Sequence, residues 1–233
     1  MMYESRFETD ERFERETVGS IERTTAYETN EADGPTYKTG TTIVALAAAD
    51  GVVMGADKRM SLGGRFTASK DVEKLSQVHS TATMAISGAV GPAQQLLDSL
   101  QAEASLYRTR HGEPMSMKAL SKTTGHLVRG LPVQPLLGGV DETGGHVFEL
   151  DGSGSVIEDS YAAGGSGMQT AYGLLEGRME PQLSVSEATD VATDAVLAAS
   201  ERDTASGNGV TIATITREGV QIGDVTDMNG GAS

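Results

Sequence analysis

A hydroxyl group becomes a useful nucleophile only with a base within reach, and the run Thr39-Gly40-Thr41-Thr42-Ile43-Val44 offers one way to supply it. An α-amine titrates near 8, so a chain that began at Thr41 would carry a base within a few ångströms of its own side-chain oxygen. Cleavage of the Gly40–Thr41 bond would create that arrangement. Gly40 suits such a cut because a residue without Cβ can take the tight conformation in which the hydroxyl reaches the preceding carbonyl. The same tripeptide at the start of a strand is also a common and chemically silent pattern, so the residues alone leave both readings open.

Few other chemistries survive inspection. The chain has no cysteine, which excludes disulfides, thiolate zinc sites and a cysteine nucleophile and agrees with a reducing cytoplasmic setting. There is no phosphate-binding GxxxxGK[ST] loop, HExxH, GxSxG or SxxK. His79, His111, His126 and His146 lack metal-ligand spacing and read as packing or solvent-facing residues, so no metal and no cofactor are implied. Gly164-Gly165-Ser166-Gly167 is short of a dinucleotide fingerprint and by itself reads as a turn. The net charge of −15, from 33 acidic against 18 basic residues, repels a phosphate backbone and makes nucleic acid an unsuitable partner. Such an acid-rich, lysine-poor surface suits a high-salt cytosol, where screening relieves self-repulsion. No stretch approaches the roughly 18 apolar residues that span a bilayer, and Met1 to Asp10 is too polar for a secretory signal. The expectation is a soluble, cytoplasmic protein.

The elements that must position Thr41 follow from periodicity. Residues 1 to about 38 hold ten acidic and five basic side chains with no sustained apolar period and read as a disordered leader. Thr42 to Leu46 and Val52 to Asp57 form two strands around the Asp50-Gly51 turn. After a turn at Gly63-Gly64, Leu75 to Val78 and Thr81 to Ser87 give a further pair. Gly91-Pro92 then opens a helix with Leu96, Leu97, Leu100, Ala104 and Tyr107 on one face. A second helix carries Met117, Leu120, Thr124, Leu127 and Val128. Pro135 to Val140, His146 to Leu150 and Val156 to Tyr161 are expected strands. Two helices follow, the second opened by a Ser184–Glu187 capping box and presenting Ala188, Val191, Ala192, Ala195 and Ala198 on one face. Val210 to Thr216 and Gly219 to Ile222 complete the pattern, and Asp224 to Ser233 reads as frayed. Hairpins in place of crossovers argue for an α+β protein with antiparallel sheets covered by helices.

With these elements placed, the chain resembles the β-type subunits of the proteasome, threonine-dependent members of the N-terminal-nucleophile hydrolases. The resemblance runs from Thr39 to about Val220. It rests on the Gly-Thr-Thr opening, Asp57-Lys58-Arg59 closing the second strand, Glu73-Lys74-Leu75, Ile86-Ser87-Gly88, Gly165-Ser166-Gly167 and Arg202-Asp203-Thr204-Ala205-Ser206-Gly207. It implies a four-layer αββα sandwich of two stacked five-stranded sheets, a propeptide over 1–40 removed by the chain itself, a peptidase domain over 41–226 and a flexible tail over 227–233. The implied catalytic set is Thr41 as nucleophile, Asp57 paired with Lys74, Gly88 as oxyanion donor, and Ser166, Asp203 and Ser206 beside the new amine. Met60, Ser61, Ile86 and Val90 are implied for substrate binding, with an apolar pocket that favours apolar residues before the cut. Implied partners are other β subunits in a seven-membered ring, α-type subunits, an unfolding ATPase and unfolded polypeptides. Lys74 stands one residue later than the family spacing implies. The extra residue is assigned to the Gly63-Gly64 turn, and Lys70 is set aside because Asp71 follows it. Met168 stands where a small hydroxyl residue is usual.

Each site residue also has a bland reading. Asp57 and Arg59 could form a surface ion pair, Lys74 could be a solvated strand-end charge, and Asp203 could end a helix. A non-processed structural β-type subunit, a hexameric ATP-dependent peptidase of the same superfamily and a binding module of this fold are the alternatives at the level of the whole chain.

Overall fold

The computed structural model describes residues 38–225. A short strand, β1 (Lys38–Gly40), leads through Thr41 into the hairpin of β2 (Thr42–Ala48) and β3 (Gly51–Asp57). Most of both hairpin strands is buried on both faces, which is why they read as continuous apolar runs without alternation. There follow β4 (Met60–Leu62), β5 (Phe66–Ser69), β6 (Leu75–His79), β7 (Ala82–Ala89), α1 (Val90–His111) and α2 (Met117–Leu127). The second half comprises β8 (Val133–Asp141), β9 (Gly144–Leu150), β10 (Val156–Asp159), β11 (Tyr161–Gly165), α3 (Met168–Arg178), α4 (Val185–Ser200), β12 (Val210–Thr216) and β13 (Gly219–Asp224). No helix among the described residues is long and apolar enough to cross a membrane.

The strands form two antiparallel sheets, one ordered β11-β2-β3-β12-β13 and the other β10-β9-β8-β7-β1-β4-β5, with β6 also paired to β7. Alternate side chains of one strand feed different cores, as the two-residue period of a strand requires. Ile43 and Ala45 point between the sheets with Met54, Leu75 and Leu136. Val44 and Leu46 point the other way, into a core with α3 and α4 residues such as Leu175, Val191 and Val196. Leu96, Leu100, Met117 and Leu120 of α1 and α2 cover the outer face of the second sheet. The layers therefore run helix, sheet, sheet, helix. Gly138 and Gly139 of β8 let these layers approach: a Cβ at Gly138 would lie 2.8 Å from Met54 Sδ between the sheets, and one at Gly139 would lie 2.4 Å from Met117 Sδ on the helix side.

Several expectations change in detail. Only one sheet has five strands; the other has eight. The additions come from β7, which pairs β6 along Ala82–Ala85 and β1 at Gly88–Ala89 on one edge while β8 takes the other. The strand expected over Val156 to Tyr161 breaks at Ser160, and its halves join different sheets. Gly164 and Gly165 are not a turn but the end of β11, opposite Ile43 and Thr42. Asp224 is not frayed; it closes β13 opposite Thr211. On α4 the buried face continues through Val196 and Ala199, not Ala198, because the helical repeat of 3.6 carries 188, 192, 195 and 199 along one line. Its N-terminus has the expected capping box, Ser184 accepting from Glu187 N and Glu187 accepting from Ser184 N. Residues 1–37 and 226–233, and with them most of the leader and the tail, lie outside the described residues.

Candidate active site

Strand register brings the candidate residues to one end of the sandwich. The β2–β3 hairpin pairs Ile43 with Ala56, so Thr42 and Asp57 finish side by side. Gly165 pairs with Thr42, which sets Ser166 beside Thr41, and Val210 pairs with Asp57, which draws in the loop after α4.

Asp57 is 1% exposed, and burial of a carboxylate is costly unless donors surround it. Five do. Its Oδ1 accepts from Thr41 Oγ1 at 3.0 Å, Thr42 N at 2.8 Å and Lys74 Nζ at 2.6 Å. Its Oδ2 accepts from Arg59 N at 3.0 Å and Gly207 N at 2.8 Å. Lys74 is nearly buried as well; burial lowers its pKa below the ordinary 10.5, and attraction to Asp57 opposes that. The candidate nucleophile and the lysine thus meet on one carboxylate oxygen. Asp57 and Arg59 are not a surface pair, since Arg59 turns its guanidinium to Asn208 Oδ1 and Thr204 O, both at 2.8 Å. Lys74 rather than Lys70 reaches Asp57. The β4–β5 hairpin before it holds left-handed Gly63 and Gly64 and a register shift at Met60/Ser61, two places that can absorb an extra residue.

A second network lies on the backbone side of Thr41. Thr41 N–H donates to Ser166 Oγ at 3.1 Å, and Ser166 Oγ donates to Asp203 Oδ2 at 2.5 Å. Ser206 Oγ donates to the same Asp203 oxygen at 2.7 Å. A hydroxyl has one proton, so the 2.8 Å contact between Thr42 Oγ1 and Ser206 Oγ has Thr42 as donor. Asp203 follows α4, as a helix-ending residue would, but its carboxylate joins this network. Close packing is built with glycine here: a Cβ at Gly165 (φ +86°) would lie 2.2 Å from Thr41 O, and one at Gly167 would lie 2.0 Å from Thr42 Oγ1.

Gly40 needs its bare backbone for a reason the chain alone does not disclose. Its φ is not among the left-handed ones; instead, a Cβ there would lie 1.9 Å from the Ala205 methyl. β1 sits as a strand between β7 and β4, with Thr39 opposite both Gly88 and Leu62. Ser61 lies outside the pocket expected for the substrate side chain; it is buried, and its hydroxyl accepts from Gly40 N at 3.2 Å. Met60, Ile86 and Val90 do come together, with Val72 and Leu97 but also the polar Glu73, Lys74, Ser76 and Gln94, around a pocket of about 140 Å³ that opens on Thr41. A groove of about 650 Å³ runs past Gly40, Ser166 and Asp203, and Gly88 (φ +118°) borders both.

Thr42, Asn208 and Ala205 escaped notice as site residues. Thr42 could have been found, because a residue next to a strand-end hydroxyl points to the opposite face and needs its own partner. Nothing local marks the other two. Among the described residues no group of three or more His, Asp or Glu side chains could hold a metal ion. His146 instead bonds Asp141 and Glu158 at the surface.

Two stacked antiparallel sheets between helix layers, with a hydroxyl residue entering the first long strand at the open end, define the fold of the N-terminal-nucleophile hydrolases. Within it, the model of the proteasome subunit family matches residues 37–215, and the chain belongs to that family. Among the proteins it is similar to are β subunits from haloarchaea. A proteasome subunit beta of Halorhabdus utahensis is 53% identical over 204 residues, covering 86% of this chain and 87% of the relative. One of Natrialba magadii is 52% identical over 188 residues, covering 79% and 77%. Proteasome subunit beta 2 of Haloarcula marismortui is 51% identical, covering 79% and 82%.

Proposed function

We propose that this chain is the precursor of a catalytic β subunit of the 20S proteasome core, a threonine endopeptidase that removes residues 1–40 from itself. The observation that carries this reading is the meeting of Thr41 Oγ1 and Lys74 Nζ on one oxygen of buried Asp57, directly after the Gly40 peptide. A structural subunit has no need of a desolvated lysine and carboxylate behind a hydroxyl.

In the first stage Thr41 Oγ1 attacks the Gly40 carbonyl carbon. The new C–O bond replaces the C–N bond, the nitrogen takes up the hydroxyl proton, and Gly40 is left as an ester on Thr41. Water then hydrolyses the ester, releasing the leader carboxylate and a free Thr41 amine. In the second stage the same oxygen attacks a substrate carbonyl. Lys74, its proton affinity reduced by burial, and the new amine exchange protons with the oxygen and the leaving nitrogen. Gly88 N–H is the donor assigned to the oxyanion. Ser166, Asp203 and Ser206 hold the amine, whose nitrogen already lies 3.1 Å from Ser166 Oγ. A substrate strand would take the place β1 now holds between β4 and β7, where Ser61 meets backbone. Its side chain before the cut would enter the pocket of Met60, Ile86 and Val90, which favours apolar residues. Assembly follows from the same reading: seven-membered β rings, α-type rings and an unfolding ATPase would confine this chemistry in a cytoplasmic chamber.

Thr41→Ala tests the reading. Mass spectrometry of the assembled variant should show an intact leader, and cleavage of an apolar peptide should fall to background. Cleavage by that variant at the wild-type rate would refute it.

A further inference from the structure

Lys58 follows Asp57 but turns its side chain away from the site, and it belongs to neither network described above. Its main chain nevertheless ties together the segments that carry them. Lys58 N donates to Gly207 O at 3.1 Å, in the loop that carries Asp203 and Ser206. Lys58 O accepts from Val72 N at 3.0 Å, in the loop that carries Lys74. The side chain, only 18% exposed, extends this brace: Nζ reaches Asp71 Oδ1 at 2.7 Å and Asp224 Oδ2 at 2.5 Å. Asp224 is the last residue of β13, and its other oxygen accepts from Thr211 Oγ1 at 3.0 Å. The stem is guided as well, since Lys58 Cδ packs against Gly209, where a Cβ would come within 3.3 Å.

We propose that Lys58 is a positioning residue for the peptidase, clamped between Asp71 and Asp224 so that the 70–74 loop delivers Lys74 to Asp57 and the end of β13 is coupled to the site.

The inference rests on the functional reading above. The geometry makes a specific demand on it. Lys74 reaches Asp57 from a loop that contains no strand pairing between Ser69 and Leu75. Buried Leu75 of β6, paired with Ala85 of β7, fixes the end next to Lys74, and within the loop the anchors are the Val72–Lys58 backbone bond and the Asp71–Lys58 ion pair. Lys74 is poised between opposing influences: burial and Arg59 lower its proton affinity, while Asp57 and Asp203 raise it. A displacement of the loop weakens the Asp57 contribution first, because it acts at 2.6 Å and Coulomb attraction falls with distance. A displacement also relieves the burial that lowers the Lys74 pKa most, so losing the clamp disturbs the balance that sets its proton form. The ion pair to Asp71, whose side chain is 82% exposed, is the weaker arm because solvent screens it. The Asp224 arm is the stronger.

The test uses the assembled wild-type particle and the variants Lys58→Gln, Lys58→Arg and Asp71→Asn, with kcat and KM for one apolar peptide measured across pH. In Lys58→Gln, kcat should fall about tenfold with KM changed less than about twofold, and the alkaline limb of the kcat profile should shift. Lys58→Arg, which keeps both ion pairs, should restore the limb. Asp71→Asn should move it in the same direction by a smaller amount. A role confined to stability would lower the amount of assembled particle without moving the limb. Lys58→Gln and Asp71→Asn profiles that superimpose on wild type after scaling overturn the proposal. If Lys58→Gln does not assemble, Asp71→Asn alone decides, and an unshifted limb overturns it. An inactive wild-type particle would instead overturn the functional reading itself.

Discussion

Gly40 shows how closely the junction is fitted. The tightness comes from Ala205, whose methyl would stand 1.9 Å from any Cβ at position 40, and not from a left-handed backbone. Relieving such an overlap costs about 1–3 kcal/mol, and the carbonyl that Thr41 must reach is the group displaced. Gly40→Ala should slow leader removal by at least about tenfold, as read by the ratio of long to short chain on a gel. Adding Ala205→Gly should restore most of the rate. Equal processing of Gly40→Ala and wild type would show that the close approach is not felt. Asp57 and Lys74 illustrate the opposite case, because each stands in a short contiguous block, and the resemblance those blocks carry implies their pairing.

Among the elements, α2 and α4 make checkable demands. Asp141 closes β8 and holds the start of α2, accepting from Met117 N at 2.9 Å, while also accepting from Thr143 and His146. Burial alone would raise its pKa, but the Thr143 hydroxyl, the two backbone N–H groups and His146 outweigh burial and hold it at about 2, below the ordinary 3.8. A carboxylate with a depressed folded-state pKa contributes stability that is present above 3.8 and lost as pH falls toward about 2. Asp141→Asn should therefore be less stable than wild type at neutral pH, and the two should converge in denaturant midpoint as pH is lowered through that window. A constant gap would argue against the assignment. On α4, Ala195 is fully buried on the line 188, 192, 195, 199 against the β2–β3 sheet. Ala195→Leu should cost about 1–3 kcal/mol, or roughly 2–12 °C in a thermal melt for a chain of this size, and an unchanged midpoint would contradict the tight helix–sheet contact.

Taken as a whole, the chain carries a net charge of −15, and among the described residues the buried charge of Asp57 is paired with Lys74. The repulsion is therefore a surface property, and screening sets its range: about 10 Å in 0.1 M salt against about 3 Å in 1 M. Moving the protein from molar potassium chloride to about 0.1 M should lower its thermal midpoint and loosen its assembly, followed by circular dichroism and light scattering. Equal midpoints in both salts would remove the high-salt reading, which also draws on relatives from haloarchaea.

The local order of turns, apolar runs and small-residue faces already carried most of the fold. Hairpin signals at Asp50-Gly51 and the capping box at Ser184 act within a few residues, so the chain encodes them directly. The six motifs named their residues for the same reason, since each is a short contiguous block. Pairings between distant segments were not so encoded. Ser160 divides one apparent strand between two sheets, Gly164 and Gly165 pair with β2 instead of turning, and Asp224 is anchored by Thr211 and Lys58. The Ala205 contact, the Arg59–Asn208 bond and the Lys58 clamp join positions 145 or more apart in the chain, or loops with no period of their own. No local propensity records such neighbours; they exist only once burial has fixed the register of the strands and closed the two sheets on each other.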